Sequence, residues 1–411
     1  MGKRELLLIG VFLVLGMGVY QMTAPPPKPG QEGFSFGRLF SHIRAEIQGE
    51  DARAPVDRKA QRAVGASVTR LTLPEFRGML TLVGEDREDI DVELRGVMAG
   101  LDDKVATARA DATQLTLEPG DDEITIKISR SEETPRMRNA ELRLRVPARL
   151  AVTLEYRGEA DLRGVAEVKF QAARGRTNIR DVGAIRGEYV NGELEVLGVG
   201  EIDLKTQRTQ VRIDGVKRTL ALEAEHGEVR IQRIAGAMKL DLDRVECEVD
   251  AVKGETKVRM EHGNLTMRGI NAAVEINGDG AGLELIMASA VPLSATTMGD
   301  QLMVELPKGG VTLDAVVQHG RLLLPDRTLE VKEGDDEQRS DAKIRGGGPT
   351  VRLRNEHSDI KVRDGAMMEH ETAAPGSEHP RHPAPPPAPE PLEPPKPPPP
   401  APPVPPRDQR W

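Results

Sequence analysis

Three segments place an imidazole beside a carboxylate: Glu225-His226-Gly227, Glu261-His262-Gly263 and Glu356-His357-Ser358. That pairing is the raw material of a metal site or of a general acid–base pair. Cys247, the chain's single cysteine, falls between the first two copies and is the candidate nucleophile. One cysteine allows neither an intrachain disulfide nor a cysteine-based zinc cluster. Carboxylates and cations are abundant, with 66 Asp+Glu against 57 Lys+Arg, so a polysaccharide-active face is a further possibility to weigh.

The spacing of these residues belongs to a larger repeat. At intervals of 18, Val211, Val229, Cys247 and Leu265 form one apolar column. Ile213, Ile231, Val249 and Met267 form the next, and Val216, Ile234, Val252 and Ile270 a third. Leu220, Met238, Thr256 and Val274 follow, then Leu222, Leu240, Val258 and Ile276. Polar residues such as Arg212, Arg230, Glu248 and Thr266 alternate with them. Each unit holds two short alternating stretches joined by turns, which predicts two strands and two corners per unit. The expected fold is all-β: a parallel β-solenoid (β-helix-like) of about 18-residue coils, stacked about 4.8 Å apart.

On this register Arg208, His226, Arg244 and His262 share one corner position, after Gln207, Glu225, Asp243 and Glu261. His226 and His262 then lie two coils, roughly 9.6 Å, apart with Arg244 between them. Zinc holds each imidazole nitrogen at about 2.0–2.1 Å, and an intervening cation opposes it. The corner reads as an acid–base ladder, with Gly227 and Gly263 supplying the positive φ of a tight turn. Cys247 sits in an inward column and reads as a small buried apolar residue. The Gly run at 345–350 lacks the Lys and helix of a phosphate loop, and the acidic run at 333–341 lacks calcium-loop spacing. The sequence therefore predicts no catalytic, cofactor-binding or metal-ligating residue, no cofactor and no enzyme.

Around the repeat, the chain of 411 residues divides into five segments. Residues 1–23 carry Lys3-Arg4 before the uncharged run Leu6–Tyr20, the pattern of a signal sequence. Pro25 directly after Thr23-Ala24 makes a poor cleavage site, so the segment reads as an uncleaved signal anchor and transmembrane helix, a cleaved signal peptide being the alternative. Residues 24–66 read as a linker with a short amphipathic helix over 35–48 and a solvated connector after it. Residues 67–165 read as irregular strands without helix, and 166–365 as the repeat proper, its spacing loosening past 280. Residues 366–411 form a Pro-rich, disordered tail: 18 of the 31 prolines lie between 375 and 406, which favours extended polyproline II.

The stretch "AELRLRVPARLAVTLEYRGEADLRGV" at 140–165, followed by strand repeats with turns "EHGEV", "EHGNL" and "EHSDI", resembles the bacterial putative-adhesin family of domains of unknown function. The resemblance spans about residues 67–365. It implies a β-solenoid and adhesion, and brings no catalytic residue. The expected protein is a non-catalytic, single-pass protein of the bacterial cytoplasmic membrane, with the bulk of the chain outside the cytoplasm. Its partners would be an envelope protein or polysaccharide, with the membrane reached through the N-terminal helix. Net charge of −9 without a basic block disfavours nucleic acid. The alternatives are a polysaccharide-active β-helix enzyme and an accessory component of envelope-stress sensing. After Tyr189 no aromatic occurs until Trp411, which leaves sugar stacking little to use across the repeat.

Overall fold

The computed structural model describes residues 52–129, 137–326 and 329–365. The signal anchor, the helix expected at 35–48 and the Pro-rich tail lie outside the described residues. Period-two apolar patterning sets most of the described chain into one 20-stranded, mostly parallel sheet. The first strands are β1 (Ala52–Ala63), β2 (Arg70–Glu85) and β3 (Asp89–Gly100). Helix α1 (Asp103–Ala112) follows, then β4 (Gln114–Pro119), β5 (Glu123–Ser129) and β6 (Arg138–Pro147). The middle holds β7 (Ala151–Arg163), β8 (Glu167–Arg180), β9 (Ala184–Ile234), β10 (Met238–Val252), β11 (Thr256–Ile270) and β12 (Val274–Met287). Next come β13 (Leu293–Met298), β14 (Leu302–Leu306), β15 (Val311–Gln318) and β16 (Leu322–Leu323). The last are β17 (Lys332–Glu333), β18 (Glu337–Ile344), β19 (Thr350–Glu356) and β20 (Ile360–Asp364).

The 18-residue register is the register of the sheet. Leu240 faces Leu222 on one side and Val258 on the other, and Cys247 faces Val229 and Leu265. A strand residue whose parallel neighbours lie 18 positions away belongs to a chain that completes one circuit every 18 residues. All residues of the five apolar columns are buried. Thr256 is the polar member, and its hydroxyl donates to the carbonyl of Gly254 at 3.2 Å, which satisfies it.

Each circuit turns at two corners where the backbone is left-handed. The first corner carries Asn191, Arg208, His226, Arg244 and His262 at φ 58, 50, 54, 53 and 62°. The second, seven positions later, carries Gly198, Gly215, Arg233, Ala251 and Gly269 at φ 68, 80, 55, 57 and 67°. Gly227 and Gly263 carry the positive φ expected of them at the Glu-His-Gly segments, 151 and 97°, and His226 and His262 before them are left-handed as well. Gly227 is needed for space: a Cβ there would lie 2.3 Å from the Thr209 carbonyl oxygen. In the same position along the stack Gly78 faces Gly158, Gly158 faces Gly175, and Gly175 faces Gly192. A Cβ on Gly175 would meet the Gly158 oxygen at 2.0 Å.

Both ends depart from chain order. β2 pairs in parallel with β7 on one side and with β5 and β6 on the other, so residues 70–85 belong to the stack. β3 runs antiparallel to β6, and β1 antiparallel to β3. Residues 52–63, expected as a solvated connector, thus form a strand, because Ala54 and Val56 bury against Met98, Ala106 and Ala110. The last two lie on α1, a helix where none was expected: its buried stripe is just two alanines, too slight for an apolar periodicity. Asp102 caps its start by accepting from the Val105 N–H at 2.8 Å, and Arg58 donates to the Ala110 and Thr113 carbonyls at its end.

At the far end, β19 lies between β13 and β15, and β20 between β14 and β16. The spacing that loosens past residue 280 in the sequence reflects this insertion: the next unit of the stack comes from 350–364. Arg345 fastens it, pairing with Asp364 at 2.6 Å and donating to the carbonyls of Pro307 and Gly309. β18 then runs antiparallel to β15.

Candidate functional site

The corner bearing the Glu-His segments is one continuous edge. Pairing places His226, Arg244, His262, Gly280 and Gly299 in successive units. The inserted unit continues the edge with His357, whose N–H donates to the Gln318 carbonyl beside His319. The backbone is left-handed at all of these positions, with Gly280, Gly299, His357 and His319 at φ 60, 89, 72 and 53°. Exposed side chains at such corners point away from the apolar columns, so the edge presents its ionisable groups to solvent.

His226 and His262 do not meet. Arg244 separates them, and its Nη1 lies 3.4 Å from His226 Nε2 and 3.2 Å from the Asp243 carboxylate. Gln207 donates to Glu225 at 2.9 Å, and Arg259 pairs with Glu261 at 2.7 Å. Of the acid–base ladder expected from the sequence, the Asp243–Arg244 pair is present, whereas Glu225 and Glu261 take their partners from Gln207 and Arg259 and not from the imidazoles. His357 of the third segment does meet another imidazole, that of His319, with ring centroids 5.1 Å apart and planes 26° apart. His319 falls outside the Glu-His pattern, although "QHG" at 318–320 carries the same His-Gly signature. Among the described residues no group of three or more His, Cys, Asp or Glu is placed to hold a metal ion.

Cys247 is buried, and burial pushes its thiol up to about 12, so it stays protonated and unreactive at neutral pH. The buried aromatics are likewise structural. Phe170 sits between Tyr156 and Tyr189, at centroid distances of 6.2 and 5.7 Å. Both phenols hydrogen-bond the Thr177 hydroxyl, and burial raises both above the usual tyrosine range.

A second polar cluster lies where the inserted unit meets β15. Asp314 accepts from Arg354 at 2.7 Å and from Arg352 at 3.4 Å, with Arg339 at 3.8 Å. Burial alone would raise this carboxyl, but the arginines overcome it and the net shift is downward. Nothing in the sequence signals the cluster, because Asp314 and the arginines meet only through the out-of-order strand. It joins three elements of the stack and brings no nucleophile or base toward a cavity.

No family model matches the chain, and no curated protein matches it. Among solved structures it is similar to a putative cell adhesion protein from Clostridium sporogenes, at 13% identity over 75% of this chain and 99% of that one, with a TM-score of 0.18. A putative adhesin from Parabacteroides distasonis shares 14% identity over 62% of this chain and 97% of its own, with a TM-score of 0.31. One from Bacteroides fragilis shares 8% over 75% and 96%, with a TM-score of 0.20. Each is a bacterial protein named as an adhesin or cell adhesion protein, the family that this sequence resembles.

Proposed function

We propose that the chain is a β-solenoid that presents its long lateral surface for adhesion or scaffolding in the bacterial envelope, held to the membrane by residues 1–23. The observation that carries this reading is the register: columns of solvated residues run unbroken along many units. Their charges are mixed in sign, as in Glu223, Asp241 and Arg259, or Lys239, Lys257 and Glu275. Exposed ion pairs of this kind add about 0–1 kcal/mol each. Their extent therefore does more for solubility and recognition than for stability. Antiparallel strands lie across both ends of the stack, which blunts end-to-end pairing and leaves the lateral faces for partners. The reading is non-catalytic because Arg244 stands between the imidazoles of His226 and His262 and because the Cys247 thiol is buried. The names of the similar structures point the same way, though the reading does not rest on them.

The test compares cells carrying the full chain with cells carrying none, scored for adhesion and for the envelope components cross-linked to the chain. Equal adhesion and no cross-linked envelope component would overturn the reading. Mass measurement of membrane-extracted protein tests the anchor separately: a mature start near residue 24 or 25 defeats it.

A further inference from the structure

The lateral face is laced with ion pairs along most of its length. Arg230 pairs with Glu228 and Glu248, Arg268 with Glu248, and Lys257 with Glu255 and Glu275. One place differs. A depression of about 250 Å³ opens on the outer face of three successive units, lined by Arg176, Asn178, Glu193, Glu195, Gln210 and Arg212. Arg176 and Glu193 pair across one wall at 2.6 Å. The side chains of Asn178, Glu195, Gln210 and Arg212 make no hydrogen bond or ion pair with the described residues. A carboxylate, a guanidinium and two amides thus converge on one space without a hydrogen bond between them, with the Arg176 guanidinium near Glu195.

We infer that this groove binds a neutral carbohydrate, one ring at a time along a longer chain. Glu195 only accepts and Arg212 only donates, while the amides of Asn178 and Gln210 do both. A ligand that satisfies all four must carry donors and acceptors in close alternation, as vicinal hydroxyls do. The lining charges cancel, two arginines against two glutamates, so no net field selects an ion. Glu159 and Asp161 stand in the preceding unit beside Arg176 and Asn178, and they disfavour an anionic ligand. An extended peptide would need a free sheet edge for its backbone, whereas here the backbone of β8 is paired on both sides with β7 and β9. The volume falls just below the roughly 300 Å³ of the smallest small-molecule pockets, the size for a single ring. Tyr156, Phe170 and Tyr189 lie inside the stack, so no aromatic surface stacks on the sugar. Each contact is then weak, and useful binding comes from many copies on a cell surface.

This names a ligand class for the adhesive reading and rests on it only for the biological setting. The test titrates the full chain with maltohexaose, cellohexaose, xylohexaose and hexameric N-acetylglucosamine, with polygalacturonate as the anionic arm. The same titrations follow for Glu195→Ala, Arg212→Ala and, as a control two units beyond Gln210, Glu246→Ala; thermal midpoints verify folding. At least one neutral oligosaccharide should bind, with affinity falling tenfold or more in the first two variants and unchanged in the control. The inference is overturned if no neutral oligosaccharide binds, if only polygalacturonate binds, or if Glu195→Ala and Arg212→Ala bind as the wild type does. Adhesion that persists in the absence of oligosaccharide binding would sink this inference and leave the adhesive reading standing.

Discussion

His319 and His357 are 38 positions apart in the chain, and their rings stack at 5.1 Å because the unit carrying His357 is inserted beside the one carrying His319. His226 occupies the same kind of corner, φ 54°, without such a ring partner. Left-handed backbone costs a residue with a Cβ about 1–2 kcal/mol, and glycine's unfolded-state entropy takes back about 0.5–1 kcal/mol. His226→Gly should therefore stabilise the protein by about 0.5 kcal/mol and His226→Val destabilise it by about 2 kcal/mol. His357→Gly should be neutral or worse, since it also removes the stack. Chemical denaturation measures all three, and an unchanged midpoint for His226→Val would refute the left-handed corner.

Val258 is buried between Leu240 and Ile276, while neighbouring Lys257 is exposed and pairs weakly with Glu255 and Glu275. Val258→Asp should cost at least about 3 kcal/mol, because it buries an unpaired charge. Lys257→Asp should stay within about 1 kcal/mol. Equal unfolding midpoints for the two variants would contradict the inward and outward assignment.

Gly175 and Gly346 both have positive φ, 117 and 86°, but only Gly175 is crowded. An added Cβ meets backbone oxygen at 2.0 Å at Gly175 and nothing within 4 Å at Gly346. Gly175→Ala should lower stability by about 3 kcal/mol or more, since a rigid neighbouring strand must move. Gly346→Ala carries only the conformational term of about 1 kcal/mol. Thermal midpoints compare them directly; similar losses would deny the close approach of successive units.

The Asp89 carboxyl is held to about 2, first by its hydrogen bonds to the Arg87 guanidinium and then by Gln61. Its unfolded value is about 3.9, so the folded chain binds the proton less readily than the unfolded one. The resulting stabilisation is complete above about pH 4 and is lost as pH falls through about 2. Between those values the midpoint of the Arg87→Gln variant should fall less steeply than that of the wild type. Parallel curves would show that Arg87 does not set this titration.

The core between 210 and 278 was legible in the sequence because stacked units repeat their environment, so Val229, Cys247 and Leu265 announce one column. The shared corner position of His226, Arg244 and His262 was legible for the same reason. What escaped has a common cause: it is made by segments without a neighbouring copy. Helix α1 hides its buried face in Ala106 and Ala110, and β1 borrows its partners from β3 and α1. The Asp314 cluster and the His319–His357 stack exist only because 350–364 enters the stack out of order, and periodicity carries no information about order. The groove at Glu195 was invisible for another reason, since neither the types nor the spacing of its residues set them apart from their neighbours.

The insertion of 350–364 also bears on how the chain is made. β13 to β16 leave the ribosome before β19 and β20 do. Until then the place between β13 and β15 is a slot roughly 9.6 Å wide, bordered by two unpaired parallel edges. Synthesis that stops short of residue 350 leaves both edges bare, although every residue of the flanking units is present. Completion is thus tested by the fold itself, and a truncated chain is exposed to aggregation and proteolysis in a way a finished one is not. In the finished chain the last described strand is an interior layer of the stack. Fraying from that end must first pull β20 away from both β14 and β16 and undo the Arg345–Asp364 pair, so the end of the described chain is among the better guarded regions of the molecule.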